Sequence, residues 1–308
     1  MNGFTPEGRI SDTRENRNIL SDPALMRKAM EEQTILEARA VMCTASHDLI
    51  ADIPSAKGII PRTEGAVGIK DGTTRDIALL SRVNKPVCFV IDDITEADGA
   101  PLYILSREKA QRRCLDEYVS KLTCGDVIPA RITHMEPFGA FADIGCGIPS
   151  LMPIDTISVS RISHPNDRFY NGQYIYAVVK SKENGRIGLS HRELLGTWEQ
   201  NAEKFEVGAA VPGIVRSVES YGIFIEVAPN LAGLSEPQEG ISPGQCVTVC
   251  VKAIRPEKMK LKLTIVDVLH SSAYPMRFNY FITDGHLTHW RYSPQECVKM
   301  VFSEFSSD

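Results

Sequence analysis

The chain has 308 residues, of which 43% are hydrophobic and 24% are charged, and its formal net charge is −5 at neutral pH. This composition is typical of folded globular protein and excludes a chain that is disordered throughout. The acidic balance argues against a strongly basic clamp for nucleic acid, so an RNA or DNA site must depend on more than bulk charge.

The sequence shows neither a membrane-spanning segment nor a cysteine motif. It contains no run of about 18 apolar residues, and residues 1–18 lack the apolar core of a signal peptide. Its eight cysteines include no CxxC pair, which argues against a disulfide framework and against a zinc module. We therefore expect a cytoplasmic protein with reduced cysteines, no metal, no cofactor and no membrane partner.

In chain order, the first predicted elements are a tail and two helices. Residues 1–20 are polar and are predicted to be disordered. Asp22 followed by Pro23 indicates the start of a helix. A second helix is predicted over residues 106–122, where apolar residues recur at helical spacing. Further on, the pattern from Ser190 to Glu193 is a capping box ahead of a short helix.

Residues 125–144 and 208–227 are two copies of one pattern. They match at a constant offset of 83 in four places: Gly125/Gly208, Pro129/Pro212, Gly139/Gly222 and Phe141/Phe224. Each copy continues with a strand of alternating apolar residues, YIYAVVK or CVTVCVK, and closes with RIGLS or KLKLT. The sequence therefore contains an internal duplication of a unit of about seventy residues.

A fainter third copy lies upstream, with HDLIADI at 47–53, KPVCFVI at 85–91 and LYILS at 102–106. Five short strands with glycine at the bends, and a long connection between the third and fourth, predict a small closed OB-type barrel. The predicted fold is all-β with linking helices, built from three tandem five-stranded OB-type barrels of which the first is degenerate.

The predicted organisation has six parts. They are a disordered tail at 1–20, a helix and degenerate barrel at 21–109, a linker helix at 110–121, barrels at 122–196 and 197–268, and a C-terminal hairpin and helix at 269–308. Alternating residues around Asp284 and Gly285 indicate the hairpin. The pattern that starts at Ser293 indicates the terminal helix.

Phe141 is predicted to expose its ring. In its strand, Ala140, Ala142 and Ile144 share one face, and Phe141 and Asp143 share the other. Because Asp143 should be in water, Phe141 should lie on the solvent face, where an uncovered ring costs free energy. The bases of single strands can cover such a ring, for about 1–3 kcal/mol each. The alternative is that the ring packs under the long loop.

The segments FGAFADIG with RIGLS, and YGIFIEVA with KLKLT, resemble the RNA-binding repeat of ribosomal protein S1, an OB-fold module. The resemblance is close over residues 122–195 and 203–266 and weak over 34–109. As a whole, the chain is similar to the multi-repeat S1-like proteins of Gram-positive anaerobes. The resemblance implies a protein that binds single-stranded RNA.

In that family, outward aromatic residues of the second and third strands stack on RNA, and a basic residue near the last strand holds it. The resemblance therefore implies such roles for Phe138, Phe141 and Arg186 in the middle repeat, and for Tyr221, Phe224 and Lys260 in the last. The family often has a histidine soon after the third strand begins. This sequence has Pro61, Pro153 and Glu236 there, which lowers the expected affinity.

Further basic residues lie in the long loop of the middle repeat and on the last strand. Arg161, His164 and Arg168 could reach phosphate oxygens, or salt bridges could pin the loop instead. Lys258, Lys260 and Lys262 alternate outward and could follow a phosphate backbone or form a solvated edge.

His286, His289 and Cys297 could together hold a metal ion, because these residue types are common ligands. The favoured interpretation is packing or solvent exposure, since the two histidines lie in a predicted hairpin beside Trp290.

The first repeat is not expected to stack on RNA. Parity places Leu49, Ala51 and Ile53 inside its barrel, and Ile50 lies where the other copies have an aromatic ring. The alternative is that a ring from another strand, Phe89 or Tyr103, supplies a platform.

We expect an RNA-binding protein of translation and not an enzyme, since the sequence has no glycine-rich phosphate loop, nucleophile elbow or metal-binding carboxylate cluster. The expected partners are single-stranded RNA, as mRNA or rRNA, and the ribosomal small subunit. The free protein is expected to be a monomer. The alternative is a protein-docking scaffold for ribosomal or RNA-decay partners, because OB-type folds serve both uses.

Overall fold

The computed structural model describes residues 4–54, 56–97, 99–183, 185–269 and 278–305. Residues 1–3 of the predicted tail and residues 270–277 and 306–308 of the predicted C-terminal part lie outside the described residues. The chain forms two compact units. Unit one comprises Met1–Leu122, Pro129–Arg131 and Asp143–Pro149, and unit two comprises Thr123–Ile128, Ile132–Ala142 and Ser150–Asp308.

Three closed barrels contain most of the strands. The first barrel has β1 (Leu36–Cys43), β2 (Leu49–Ile53), β3 (Ala56–Ile60), β4 (Pro86–Ala97) and β5 (Ala100–Ser106). The middle barrel has β6 (Val127–Glu136), β7 (Gly139–Asp143), β8 (Pro149–Pro153), β9 (Tyr174–Glu183) and β10 (Arg186–Ser190). The last barrel has β11 (Ala210–Glu219), β12 (Gly222–Ala228), β13 (Leu231–Ser235), β14 (Cys246–Arg255) and β15 (Lys260–Leu269).

The three barrels share one strand order. Around each barrel the first strand is followed by the second, third, fifth and fourth, which closes on the first. The third and fifth strands run parallel, as in β13 and β15, whereas β11 with β12 and β14 with β15 are antiparallel. This arrangement confirms three tandem five-stranded OB-type barrels.

Alternation along the strands builds the barrel cores. The three residues of β2 that were predicted to face inward, Leu49, Ala51 and Ile53, are all buried. In β12 the buried hydrophobic residues are Ile223 and Ile225, again two apart. The side-chain period of two therefore assigns the inner face of these strands correctly.

The α-helices of unit one are α1 (Arg14–Ser21), α2 (Pro23–Glu31), α3 (Ile77–Leu80) and α4 (Arg107–Glu117), with 3-10 turns at Arg62–Glu64 and Val119–Lys121. Both helices predicted from the sequence are present. The Asp22 carboxylate caps α2 by accepting the Ala24 N–H at 2.8 Å. The Ser106 hydroxyl caps α4 by accepting the Lys109 N–H at 3.0 Å.

The prediction of a disordered tail is wrong for residues 4–20. Helix α1 packs Leu20 into the core of the first barrel. The buried Asn16 exchanges two hydrogen bonds with the backbone of Glu37, at 2.8 and 3.0 Å. A polar segment is ordered here because distant partners satisfy its buried polar groups, which local composition does not reveal.

Buried carboxylates hold the segment before α1. The Glu7 carboxylate accepts from Arg107 Nε at 2.7 Å, and the Glu37 carboxylate accepts the N–H groups of Gly8, Ile10 and Ser11. A third acid at the end of β7 accepts the Glu7 N–H at 2.6 Å.

That third acid, Asp143, was expected in water and is only 2% exposed. Its other oxygen accepts the N–H groups of Gly145 and Gly147. Burial, with the charge of Glu7, raises the pKa of Asp143 to about 7. Alternation along the strand correctly predicted that Asp143 shares a face with Phe141. It could not show that the segment containing Glu7 covers Asp143 on that face.

The α-helices of unit two are α5 (Ile154–Ile157) and α6 (Trp198–Ala202), with 3-10 turns at Pro165–Asp167, Arg192–Leu195 and Pro256–Lys258. The short helix expected after Ser190 is the turn at Arg192–Leu195, and the Ser190 hydroxyl donates to the Glu193 carboxylate. No helix of the described residues is both long enough and apolar enough to cross a membrane.

The duplication in the sequence is a duplication in the structure. Strands β6 and β11 have the same length and start 83 residues apart, as do the starts of β7 and β12. The copies differ in the connection from the third to the fourth strand. That connection is residues 154–173 in the middle repeat and only residues 236–245 in the last. We call residues 154–173 the long loop.

The C-terminal hairpin is present, but its turn is not at Asp284 and Gly285. Strand β16 (His289–Arg291) pairs with β17 (Phe302–Glu304) in an antiparallel sheet. The terminal helix predicted from Ser293 is wrong, because the described residues 293–301 are turns and bends. The Ser293 hydroxyl accepts the Val301 N–H at 2.8 Å, so the expected capping group extends the hairpin instead.

Candidate nucleic-acid interface

An aromatic pair lies at the start of β7 in the middle repeat. Phe138 is 55% exposed, and Phe141 is half-buried. Their rings meet edge to face, with centroids 6.1 Å apart and an interplanar angle of 89°. This is a favourable geometry for two aromatic rings, and it leaves ring surface open to solvent.

The last repeat has the same aromatic pair at the start of β12. Tyr221 is 66% exposed, and Phe224 is half-buried. The centroids are again 6.1 Å apart, and the interplanar angle is 86°. The two copies thus present the same two-ring surface at positions 83 residues apart.

A glycine shapes each pair. A Cβ on Gly139 would lie 2.5 Å from the Met152 carbonyl oxygen, and a Cβ on Gly222 would lie 2.6 Å from that of Ser235. Both distances are too short for any side chain, so only glycine lets the second strand approach the third this closely. In each barrel the second strand begins at this glycine, β7 at Gly139 and β12 at Gly222.

His134 extends the middle pair and was not identified from the sequence. Its ring stacks on Phe141, with centroids 6.2 Å apart and an angle of 25°. Its Nε2 lies 2.6 Å from the Glu136 carboxylate. Strand parity could not have found it, because His134 lies two residues from the buried Ile132 and alternation would place both side chains on the core face. The last repeat has Ser217 at the corresponding position.

The predicted basic residues Arg186 and Lys260 are both exposed, each at the start of the last strand of its barrel. In the last barrel, strand register pairs Phe224 with Leu234 and then Leu234 with Lys262. The cation in line with the phenylalanine is therefore Lys262, and Lys260 lies two residues along the same face. In the middle barrel the corresponding neighbour of Leu151 is Gly188, so a lysine at this position is specific to the last repeat.

The prediction that Arg168 contacts RNA is wrong. Its guanidinium forms an ion pair with Glu226 of β12, and both side chains are fully buried. Glu226 also accepts from Arg216 Nε at 2.6 Å, and Arg216 Nη1 lies 3.1 Å from Asp167 of the long loop. For Arg168 the structure supports the alternative, a loop pinned by salt bridges.

The other two basic residues of the long loop differ from each other. His164 is half-buried, and its Nδ1 accepts the Asn166 N–H at 3.1 Å, so it caps the turn at Pro165–Asp167. Arg161 is exposed. It lines a groove with the aromatic pair of the last repeat.

This groove, called the last-repeat groove below, has a volume of about 650 Å³. Its lining residues are Arg161, Ile162, Ser163, Arg216, Ser217, Glu219, Tyr221, Phe224 and Ala232. Its size is that of a site for a small organic ligand. Two guanidinium groups and one carboxylate line it, together with the two rings.

The first barrel carries no aromatic platform. Phe89 and Tyr103 are the aromatic residues between positions 34 and 109, and both are buried in its core. The alternative that either ring supplies a stacking surface is therefore wrong, and Ile50 lies at the strand position that Phe224 occupies in the last barrel.

The C-terminal histidines have other partners. His286 Nδ1 lies 2.7 Å from the Asp126 carboxylate, and the ring of His289 stacks on Phe302. Within the described residues, no three histidine, cysteine or acidic side chains are close enough together to hold a metal ion.

Comparison with known proteins identifies relatives of this architecture. Residues 121–192 match the family model of the S1 RNA binding domain. The small ribosomal subunit protein bS1 of Leuconostoc lactis is 28% identical over 262 residues, which cover 78% of this chain and 59% of that protein. The bS1 homolog of Bacillus subtilis is 31% identical over 179 residues, which cover 54% of this chain and 46% of that protein.

A third relative, bS1 of Staphylococcus saprophyticus, is 30% identical over 176 residues, which cover 53% of this chain and 44% of that protein. The chain thus spans about half the length of the curated relatives it matches. These relatives are named as proteins of the small ribosomal subunit. With three OB-type barrels and a matched S1 domain, the chain is similar to multi-repeat S1 proteins.

Proposed function

We propose that this protein binds single-stranded RNA by stacking bases on two aromatic pairs, Phe138 with Phe141 and Tyr221 with Phe224. The observation that carries the proposal is that both repeats hold an exposed ring edge to face against a half-buried one, with the same 6.1 Å separation. The half-buried ring fixes the pair to its barrel, and the exposed ring offers a face to a base.

Stacking suits a chain with a net charge of −5. A base on an aromatic ring contributes about 1–3 kcal/mol, and this contribution does not depend on neutralising phosphates. The exposed Arg186, Lys260 and Lys262 then supply a few phosphate contacts beside the rings. We infer weak base preference, because every base has a face that can stack.

We further propose that the RNA is mRNA or rRNA and that the protein acts at the small ribosomal subunit during translation. This proposal is supported by the names of the relatives, which are small-subunit ribosomal proteins. Co-sedimentation with purified small subunits tests it. RNA that co-purifies with the protein is digested first. Co-sedimentation after this digestion supports association with the subunit, and absence of the protein from the subunit fraction contradicts it.

The RNA-binding proposal is tested by titrating the intact chain with a short unstructured RNA over a series of salt concentrations. Each phosphate contact on a single strand contributes about −0.7 to the slope of log affinity against log salt. With two to four contacts, the expected slope is roughly −1.5 to −3. Failure to bind RNA, combined with salt-insensitive capture of a ribosomal or RNA-decay protein, would favour the protein-docking scaffold.

A further inference from the structure

We propose that the last-repeat groove is a composite site, in which Arg161 of the middle repeat binds a backbone phosphate of the nucleotide that stacks on Tyr221 and Phe224. This inference rests on the proposed function and adds a residue from the preceding repeat to the RNA site of the last one. The ligand is a phosphodiester of single-stranded RNA. Four observations lead to this assignment.

The first observation is the length of the long loop. The middle repeat uses residues 154–173 between its third and fourth strands, about twice the stretch that the last repeat uses at 236–245. The additional residues do not close the middle barrel, since the last barrel closes without them. They place Arg161, Ile162 and Ser163 along the same groove as Tyr221 and Phe224.

The second observation is that buried contacts hold the loop against the last barrel. Arg168 pairs with Glu226, and Asp167 pairs with Arg216. The side chain of Asn230 accepts the Val159 N–H at 2.8 Å and lies 3.1 Å from the Ser158 hydroxyl. These contacts lie on both sides of Arg161 in sequence, so its backbone is fixed before any ligand binds.

The third observation concerns charge. In the buried network, Arg168 and Arg216 are balanced by Glu226 and Asp167. Arg161 is exposed, and among the described residues it forms no ion pair. It is therefore available to an anion that enters the groove, and guanidinium is well suited to phosphate oxygens.

The fourth observation is an unused donor in the wall of the groove. The Arg216 side chain is 91% buried, and its Nη2 has no hydrogen-bond partner among the described residues. Because Glu226 and Asp167 balance the charge of Arg216, what this nitrogen offers an entering phosphate is an unpaired N–H donor. Glu219 contributes the opposing negative charge, so we place the phosphate on the loop side and the base on the rings.

The experiment separates the two aromatic pairs in the intact chain. The first background carries Phe138→Ala and Phe141→Ala, so it keeps only the aromatic pair of the last repeat. The second background carries Tyr221→Ala and Phe224→Ala, so it keeps only the pair of the middle repeat. Arg161→Gln is introduced into both backgrounds, and fluorescence anisotropy with a short oligouridine measures affinity and salt dependence. Lys299→Gln, which removes one exposed positive charge outside the groove, is the matched control.

We expect Arg161→Gln to weaken binding about fivefold where only the last pair remains, the upper range for one exposed ion pair. The salt slope should become shallower by about 0.7 in that background. Where only the middle pair remains, Arg161→Gln should behave like Lys299→Gln and leave the affinity unchanged.

Two results would overturn the composite site while leaving the proposed function intact. One is RNA binding by the last pair that does not respond to Arg161→Gln, and the other is a loss confined to the background that retains the middle pair. If neither background binds RNA although both remain folded, the proposed function fails and the composite site fails with it.

Discussion

Arg168 of the long loop and Glu226 of β12 form an ion pair in which both side chains are fully buried. Glu226 lies 83 residues after Asp143, so the two acids occupy the same position in the two copies. Each acid is buried by a segment that does not belong to the five strands of its own barrel. Asp143 accepts the backbone N–H of Glu7, and Glu226 accepts from Arg168 of the preceding repeat.

The first prediction concerns the stability of this ion pair. Arg168→Met should lower the free energy of unfolding by about 3 kcal/mol, because it leaves a buried carboxylate with one partner fewer. Glu226→Gln should also destabilise, while the double variant should lose clearly less than the sum of the two. Urea unfolding followed by tryptophan fluorescence measures all three, since Trp198 and Trp290 both lie in unit two. Additive losses would show that the two residues act independently.

The second prediction separates the ring of Phe141 on β7 from the core side chain of Ile144, which directly follows that strand. Phe141→Ala should weaken RNA binding by about 1–3 kcal/mol, because the ring contributes to the complex. Ile144→Ala should instead lower the free energy of unfolding by about 2–5 kcal/mol, because Ile144 is fully buried. Anisotropy and thermal unfolding on both variants make the comparison. A Phe141→Ala protein that melts far below the parent but binds RNA normally would show that the ring serves the core.

The third prediction is a gain in affinity. Glu219 lines the last-repeat groove beside Tyr221 and should repel a phosphate that enters it. Glu219→Gln should therefore strengthen RNA binding about two- to threefold at low salt, and the gain should shrink as salt screens the charge. Glu206→Gln, at an exposed position outside the groove, controls for the change in net charge. Equal effects of the two substitutions would mean that Glu219 is not close to bound RNA.

The fourth prediction is that unit one loses stability as the pH rises. Burial, with the charge of Glu7, raises the pKa of Glu37 to about 7. Between about pH 4.5 and 7 the unfolded chain has released this proton while the native chain still holds it, so stability falls as the pH increases. The loss should be on the order of 2 kcal/mol, and Asp143 adds to it in the same direction.

Hydrogen exchange in β1, corrected for intrinsic rates, follows this change in the intact chain. Glu37→Gln should flatten the dependence, since glutamine keeps an oxygen for the N–H groups of Gly8 and Ser11 but carries no titrating proton. A dependence on pH that is unchanged in Glu37→Gln would contradict this assignment.

The fifth prediction has the opposite sign and applies to unit two. Burial lowers the pKa of His191 to about 3, well below that of an unfolded histidine. As the pH falls below about 6.5 the unfolded chain gains a proton that native His191 does not, so unit two should lose stability. Tryptophan-detected unfolding at pH 7 and pH 5 should show a loss on the order of 2 kcal/mol. Equal stability at the two pH values would contradict the buried neutral histidine.

Patterns that are local in sequence predicted much of the fold. The period of two placed Leu49, Ala51 and Ile53 inside their barrel, and the offset of 83 predicted that Phe141 and Phe224 would be equivalent. The helix start at Asp22 was visible because the donor and the acceptor of its cap lie within three residues of each other.

The failures have a common cause, which is a partner far away in the sequence. Asp143 is covered by a segment 136 residues upstream, and Arg168 meets its acid 58 residues downstream. No local period reports such a pairing. A sign was nevertheless present, since an acidic residue recurs at the same position of both copies, on the face that parity assigns to solvent. For the same reason, the reach of Arg161 toward Tyr221 was invisible in the sequence.

The most direct test of RNA binding by the aromatic pairs removes all four rings from the intact chain. The variant that carries Phe138→Ala, Phe141→Ala, Tyr221→Ala and Phe224→Ala should bind unstructured single-stranded RNA at least about thirtyfold more weakly than the parent, since at least two stacked bases are lost. Tyr170→Ala, which removes an exposed ring outside both pairs, should bind like the parent. If the variant without the four rings is folded and binds RNA as tightly as the parent, RNA binding by the aromatic pairs is contradicted.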